Sequence, residues 1–193
     1  LRAEMAERIT EAMQKSGYVS AGTLEFLMDE RGNLSFMEMN TRIQVEHPVT
    51  EMVFGVDLVA AQIRIAAGES PGLPEGVLEP RGHAIECRVN AEDPVTFAPW
   101  PGKITELLVP GGVGVRIDGG VYGGFTVPAH YDSLLLKVIA HGETREAAIA
   151  RLDRALAETM IGGIRTNIPL HRRILGSADF RAGKLSTRFL ERL

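Results

Sequence analysis

The chain has 193 residues, of which 45% are apolar and 24% charged, and its net charge is −4. This balance is typical of a globular protein with one large or two small domains, and it argues against a sequence-independent nucleic-acid binder. No apolar run approaches the roughly 20 residues that span a membrane, so we expect neither a membrane nor a nucleic-acid partner.

The first 68 residues predict a helix, a β-hairpin and a second helix. Apolar residues at helical spacing indicate a helix over residues 1–15, ended by Gly17. Two strand-like runs, 22–29 and 34–40, flank a turn over residues 30–33. Asp57 is a suitable N-cap for a helix over residues 58–67. Its apolar residues predicted to face inward are Leu58, Val59, Ile63 and Ala66.

A domain boundary is predicted in residues 69–80, which hold three prolines and two glycines without periodicity. We therefore expect domains over residues 1–80 and 81–193. The second is predicted to contain short strands, glycine-rich turns and helices. The predicted strands cover residues 82–90, 103–109, 115–118 and 133–141, and the predicted helices 145–160, 167–175 and 185–192.

The hairpin predicts a close pair of carboxylates. A turn centred on Arg31 and Gly32 places Asp29 opposite Leu34 and, in the same register, Glu25 opposite Glu38. Facing like charges are destabilising, and a divalent cation between them is one compensation. A solvated hairpin face is the other interpretation, and a register slip of one residue would abolish the pair.

Polar residues continue at every second position after the hairpin. If the chain stays extended until Pro48, one face carries an acid, an amide, a guanidinium, a second amide and a second acid. Arginine suits a carboxylate or enolate oxygen, and a nearby glutamate can act as a base. A half-exposed edge strand is the alternative. The residues are Glu38, Asn40, Arg42, Gln44 and Glu46.

Residues 38–51, EMNTRIQVEHPVTE, resemble the signature of the biotin carboxylases, the ATP-grasp component of biotin-dependent carboxylases. Other ATP-grasp ligases share the acid–x–Asn end of the strand but not the stretch from Arg42 to Glu46. The resemblance covers essentially the whole chain and implies an α+β fold. Residues 1–80 would be the C-terminal part of an ATP-grasp domain, and residues 81–193 the biotin carboxylase C-terminal domain, with antiparallel strands and flanking helices. Further matching segments are GTLEF at 22–26, RIAAG at 64–68, GHAIECRVNAEDP at 82–94, PGKI at 101–104 and YDS at 131–133.

The resemblance implies a role for each matching residue. Glu25 and Glu38, with Asn40 beside them, would hold Mg²⁺ or Mn²⁺ on the phosphates of ATP. Glu46 would deprotonate bicarbonate, which then attacks the γ-phosphoryl group to form carboxyphosphate. Arg88, in the second domain, would stabilise the biotin enolate that captures CO₂. The implied bicarbonate site consists of Arg42, the Gln44 side chain and the Val45 backbone.

Other reactive side chains are predicted to be structural. The five histidines lack metal-ligand spacing. Cys87, the single cysteine, excludes a disulfide and is predicted to be packed rather than nucleophilic. Arg116 matches an arginine at the homodimer contact of bacterial biotin carboxylases, whereas Val113 stands where at least one of them has an aromatic residue.

The resemblance also implies partners, namely a biotin carboxyl carrier protein or domain and a carboxyltransferase subunit or domain. Biotin would be the substrate on the carrier, and the acyl-CoA or keto acid finally carboxylated stays open. A chain beginning inside the ATP-grasp domain would lack the lid and most of the nucleotide pocket, so we expect it to be inactive alone. A non-catalytic interaction module is the alternative. A reducing compartment is expected, either the cytoplasm or the mitochondrial matrix.

Overall fold

The computed structural model describes residues 1–29 and 31–193, with only the backbone of Arg2. Glu30, part of the predicted hairpin turn, lies outside the described residues. The chain divides into two compact units, Leu1–Pro80 (unit 1) and Arg81–Leu193 (unit 2). Within the described part of the chain, no helix is both long enough and apolar enough to cross a bilayer.

Unit 1 contains the predicted hairpin and three helices. Helix α1 ends at Gly17, which adopts the left-handed conformation with φ of 68°. Asp57 caps α3 by accepting a 2.8 Å hydrogen bond from the Ala60 amide. The elements are α1 (Arg2–Ser16), β1 (Thr23–Met28), β2 (Leu34–Asn40), α2 (His47–Phe54) and α3 (Leu58–Ala66).

The predicted inward face of α3 is wrong. Val59 and Ile63 are 44% and 66% exposed, and Ala66 is exposed as well. The helix instead turns a neighbouring stripe inward, in which Ala61 is buried. Several apolar stripes fit a helix rich in apolar residues, so the periodicity alone does not select the buried one.

Unit 2 is built on a three-stranded antiparallel sheet in the order β3-β8-β6, with two small strand pairs, β4 with β7 and β5 with β9. The α+β prediction of antiparallel strands with flanking helices is confirmed. The strands are β3 (His83–Asn90), β4 (Gly102–Lys103), β5 (Glu106–Leu108), β6 (Val115–Gly119), β7 (Thr126–Val127), β8 (Leu134–Gly142) and β9 (Met160–Gly162). The helices are α4 (Arg145–Glu158), α5 (Ile168–Gly176) and α6 (Ala178–Arg181), and a 3₁₀ turn covers Leu190–Arg192.

The core of unit 2 lies between this sheet and α4. The middle strand β8 contributes Leu136 and Val138, and α4 contributes Ile149, Leu152 and Leu156, all at most 2% exposed. Thr144 caps α4 through a 3.2 Å bond from the Ala147 amide. The helix therefore presents the apolar stripe that its sequence predicts.

Three predicted elements of unit 2 differ from the structure. The strand over 103–109 is split between β4 and β5, because the chain changes partners: the Ile104 amide bonds Phe125, and the Thr105 amide bonds Gly162. The helix over 145–160 ends at Glu158, and the following residues form β9. Of the helix over 185–192, only the 3₁₀ turn forms.

Candidate functional site

Glu25 and Glu38 face each other across the hairpin, as predicted, but the register that brings them together differs from the predicted one. Leu34 pairs with Met28 rather than with Asp29. Phe26 pairs with Phe36, and a bulge then adds one residue to β2 before Glu38 meets Glu25. The longer turn shifts the register by one residue and the bulge shifts it back, so Glu25 still faces Glu38.

The turn is longer because Asp29 belongs to the loop. Its carboxylate accepts bonds from the amides of Arg31 (2.9 Å) and Asn33 (2.8 Å) and from the Asn33 side chain. These bonds, above all the one from the Asn33 side chain, hold the pKa of Asp29 below its usual value. A side chain that organises its own loop in this way is typical of a turn residue.

Asn40 connects the two carboxylates. Its Nδ2 donates to Oε1 of Glu25 at 2.8 Å and to Oε1 of Glu38 at 3.2 Å. Gln44 Nε2 also donates to Oε1 of Glu25, at 3.2 Å. The bulged end of the hairpin therefore gathers two carboxylates and two carboxamides within hydrogen-bond distance of one another.

This donor set fits a hard cation. Carboxylate and amide oxygens are the ligands that Mg²⁺ and Mn²⁺ prefer. Rotation of the Asn40 amide would turn its Oδ1, which accepts a 3.4 Å bond from Arg42, toward the carboxylates. Among the described residues, no group of three or more His, Cys, Asp or Glu side chains could hold a metal. The candidate set is therefore two acids and one amide.

The extended run predicted after Asn40 is wrong. Strand β2 ends at Asn40, the chain turns, and α2 begins at His47 with Glu46 as its N-cap residue. Pro48 lies in the first turn of α2, where its missing N–H costs no hydrogen bond, so it opens a helix rather than ending a strand.

The turn nevertheless brings Arg42, Gln44 and Glu46 together, whereas Val45, also predicted for the bicarbonate site, does not line the same pocket and is 38% exposed. Arg42, Gln44 and Glu46 line one small pocket in unit 1, with a volume of about 160 Å³. Arg42 Nη1 donates to the Ile43 carbonyl at 3.1 Å, which turns the guanidinium back along the loop. The remaining lining residues are Ala21, Gly22, Thr23, Ile43, His47, Thr50 and Leu58.

Glu51 supports this pocket, although sequence reasoning gave it no role. It is buried, and its Oε1 accepts a 2.7 Å bond from the Leu58 amide. Its other oxygen lies 4.0 Å from Nε2 of His47, while Nδ1 of His47 contacts the Gln44 carbonyl at 2.8 Å. The chain of contacts ties the pocket loop to α2 and to the start of α3. The only sequence signal was the spacing of His47 and Glu51, one helical turn apart.

Arg88 lies in unit 2, on the edge strand β3. Residues alternate along this strand, because Cys87 and Val89 are buried and the Arg88 side chain between them is half exposed. Arg88 Nε lies 4.0 Å from Oε1 of Glu86, whose side chain is buried. Burial, with the charge of Glu86, raises the pKa of the Cys87 thiol to about 12, so the thiol stays protonated at neutral pH.

Arg116 is paired within its own unit. Its guanidinium makes two bonds to Asp118, at 2.7 and 2.8 Å, and Lys137 Nζ lies 3.5 Å from the same carboxylate. Burial favours a higher pKa of Asp118, but these two cations outweigh it and lower the pKa. Val113 is 89% exposed. The homodimer contact at Arg116 stays a prediction.

Comparison with known proteins decides the family. The family described as "Biotin carboxylase C-terminal domain" matches residues 86–192, more than half of the chain. The chain belongs to the biotin carboxylase family. A second family, "Carbamoyl-phosphate synthase L chain, ATP binding domain", matches residues 1–73.

Similar proteins support this membership. The chain is 54% identical over 192 residues to the biotin carboxylase of Haemophilus influenzae, covering 100% of this chain and 43% of that protein. It is 52% identical over 191 residues to the chloroplastic biotin carboxylase of Arabidopsis thaliana, covering 98% of this chain and 36% of that protein. The chain thus spans about two fifths of the length of these relatives.

A solved structure extends the likeness to the fold. It is the biotin carboxylase domain dimer of Hydrogenobacter thermophilus 2-oxoglutarate carboxylase, in complex with MgADP, ADP and bicarbonate. The TM-score is 0.91 at 49% identity, over 95% of this chain and 41% of that one.

Proposed function

We propose that this chain supplies metal-, bicarbonate- and biotin-contacting residues for the ATP- and bicarbonate-dependent carboxylation of biotin. The observation that carries the proposal is the convergence of Glu25, Glu38 and Asn40 at the bulged end of the hairpin, in a member of the biotin carboxylase family. The Hydrogenobacter relative, which binds MgADP and bicarbonate, supports the same chemistry.

Glu25, Glu38 and Asn40 would hold Mg²⁺, or Mn²⁺, against the phosphates of ATP. The bound cation supplies charge neutralisation during phosphoryl transfer. Glu25 and Glu38 would hold it from opposite strands, and the hairpin itself brings these two carboxylates face to face. Gln44, which donates to Glu25, orients that carboxylate.

Arg42, Gln44, the Val45 backbone and Glu46 would form the bicarbonate site. The Arg42 guanidinium offers a planar pair of donors that matches the oxygens of bicarbonate. Glu46 takes the proton from bicarbonate, and the resulting carbonate oxygen attacks the γ-phosphorus of ATP, which breaks the bond to the bridging oxygen, forms carboxyphosphate and releases ADP. Because Glu46 and Arg42 line the same pocket, acid–base chemistry and anion binding occur at one place.

Arg88 would stabilise the enolate of biotin after carboxyphosphate has broken down to CO₂ and phosphate. Its side chain is half exposed, its Nε lies 4.0 Å from the buried Glu86, and its positive charge suits an anionic oxygen. Arg42, Glu46 and Arg88 are thus the proposed catalytic residues.

The two units correspond to the proposed domains. Residues 1–80 would be part of an ATP-grasp domain, and residues 81–193 the biotin carboxylase C-terminal domain. The proposed partners are a biotin carboxyl carrier protein or domain, a carboxyltransferase subunit or domain, and a second copy that contacts Arg116. The proposed location is the cytoplasm, or the mitochondrial matrix in a eukaryote.

A full-length biotin carboxylase carrying this chain tests the proposal through Glu46→Gln. The amide keeps the shape but cannot accept a proton, so bicarbonate-dependent ATP hydrolysis should fall about 10²- to 10⁴-fold with the unfolding midpoint retained. Glu75→Gln, which changes an exposed glutamate of the same unit, is the control and should keep the wild-type rate. An unchanged rate in Glu46→Gln would remove Glu46 from the reaction.

A further inference from the structure

We propose that Asn167 and His171, at the start of α5, are positioning residues that hold Arg88 through its backbone. The inference rests on the role in biotin carboxylation proposed for Arg88. No sequence motif marks Asn167 as functional, and His171 is predicted to be structural or solvated. The contacts of both residues converge on the free edge of β3.

Asn167 extends the sheet by one peptide-like group. In the part of the chain that the structure describes, β8 is the only strand paired with β3. On the other side of β3, Asn167 Nδ2 donates to the Arg88 carbonyl at 3.1 Å, and Asn167 Oδ1 accepts from the Asn90 amide at 2.9 Å. A residue in a parallel neighbouring strand makes this same pair of bonds, to the carbonyl of one residue and the amide two residues on. The carboxamide therefore replaces a strand at the position of Arg88.

The side chain of Asn167 bonds to the backbone of β3 instead of capping its own helix. Asn167 is the N-cap residue of α5, where asparagine ordinarily accepts a bond from the helix's own first-turn amides. Here the side chain makes no cap bond, and the residue is 6% exposed. Its backbone amide also donates to the Asn90 carbonyl, at 3.2 Å. Three bonds from one buried residue thus fix residues 88 and 90.

His171 lies one helical turn after Asn167 and reaches the same carbonyl. Its Nε2 lies 2.9 Å from the Arg88 oxygen, and since a carbonyl only accepts, Nε2 carries the hydrogen. Burial lowers the pKa of His171 and outweighs this bond and the charge of Glu92, which both raise it. The lowered pKa favours the neutral ring. The Arg88 carbonyl therefore receives two donors from α5.

The position of this clamp (Asn167 with His171) matches a weak point of the strand. The register between β3 and β8 shifts between Val89 and Asn90, so the regular ladder breaks next to Arg88. Bulges of this kind redirect side chains near functional sites. The clamp bonds Arg88 and Asn90 in addition to their pairing with β8, so the backbone from which the Arg88 side chain extends is held from both sides.

The first test measures the clamp itself in the 193-residue chain. In Asn167→Ala the Asn90 amide loses its acceptor, so its hydrogen exchange should accelerate about tenfold or more, whereas that of Val138, in the middle strand, should not. If the exchange rate of the Asn90 amide is unchanged in Asn167→Ala, the proposed clamp is overturned, independently of the role of Arg88 in carboxylation.

The second test measures positioning in a full-length biotin carboxylase carrying this chain. His171→Ala should lower kcat for biotin carboxylation about tenfold, since one of two donors to Arg88 is lost, with biotin-independent, bicarbonate-dependent ATP hydrolysis kept within about twofold. His171→Gln retains an N–H donor and should recover most of the rate. His83→Ala, at an exposed histidine of β3, the strand that carries Arg88, is the matched control.

Equal loss of both rates in His171→Ala would show a merely structural role and overturn the proposal. An unchanged carboxylation rate in His171→Ala would also overturn it. So would a His171→Gln variant whose carboxylation rate is no higher than that of His171→Ala. The proposed function fails separately, if Arg88→Ala itself leaves biotin carboxylation unchanged. The exchange of the Asn90 amide is independent of that result.

Discussion

Two glutamates at facing positions of a hairpin would repel each other at close range. In this chain Asn40 donates to both of them and Gln44 to one, so polar hydrogens lie where the negative charges meet. The proposed cation would take over this compensation when it binds. The same residues would thus serve two states, one held by amide hydrogens and the proposed one held by a metal ion.

Asp93 illustrates how a single carboxylate organises a loop of unit 2. It accepts bonds from the amides of Thr96 and Val95, both at 3.0 Å, and from Arg165 at 2.5 Å. Arg165 in turn lies 4.5 Å from the centre of the Trp100 ring. The amide bonds, followed by the Arg165 bond, lower the pKa of Asp93 to about 2.

This lowered pKa predicts a pH-dependent stability. The folded pKa of about 2 lies below the ordinary value of 3.8, so the stabilisation is complete above about pH 4 and is lost as the pH falls toward 2. Urea unfolding of wild type and Asp93→Asn should differ at neutral pH, and the difference should shrink below about pH 4 and be largely lost at about pH 2. Asp179→Asn controls for the loss of one negative charge. A difference that stays constant down to pH 2 would contradict the account.

At the scale of elements, α4 and β8 each contribute four residues to the buried core cluster of unit 2. Ile149 and Leu152 are fully buried on its inner stripe. Leu152→Ala leaves a cavity and should lower the free energy of unfolding by about 2–5 kcal/mol. Val113→Ala, at a side chain that is 89% exposed, should change it by less than about 0.5 kcal/mol. Chemical denaturation of both variants measures this. A small loss in Leu152→Ala would mean that α4 is not the core helix.

The elements predicted correctly are those whose own sequence carries the signal. Helix α4 and strand β3 show clear periodicity, and Gly17 and Asp57 are local cap signals. Strand β9 has no such signal, because it forms only by pairing with β5. Helix α2 is not predicted, because the alternating polar residues fit an extended strand and Pro48 fits the end of such a strand.

The candidate site was predictable in its residues but not in its geometry. Glu25 faces Glu38 through a longer turn plus a bulge, neither of which the residue spacing reveals. Likewise, nothing in the sequence near Arg88 points to Asn167, since their contact joins distant parts of the chain. Long-range hydrogen bonds depend on the finished fold.

At the scale of the molecule, the two units differ in how much they bury. Among the described residues of unit 1, only Pro48, Glu51 and Ala61 are buried. Unit 2 has a continuous apolar core between its sheet and α4. In the hairpin of unit 1, Leu27 and Phe36 are 61% and 60% exposed. Most of the burial energy of this chain therefore resides in unit 2.

The central claim is a division of labour, with metal and bicarbonate chemistry in unit 1 and biotin chemistry at Arg88 in unit 2. The most direct measurement compares biotin carboxylation and bicarbonate-dependent ATP hydrolysis in Arg88→Ala of a full-length enzyme carrying this chain. Arg188→Ala, an exposed arginine of the same unit, is the control. The account predicts that Arg88→Ala loses most of the carboxylation and keeps much of the ATP hydrolysis. Equal loss of both rates would contradict it and assign Arg88 to phosphate binding instead.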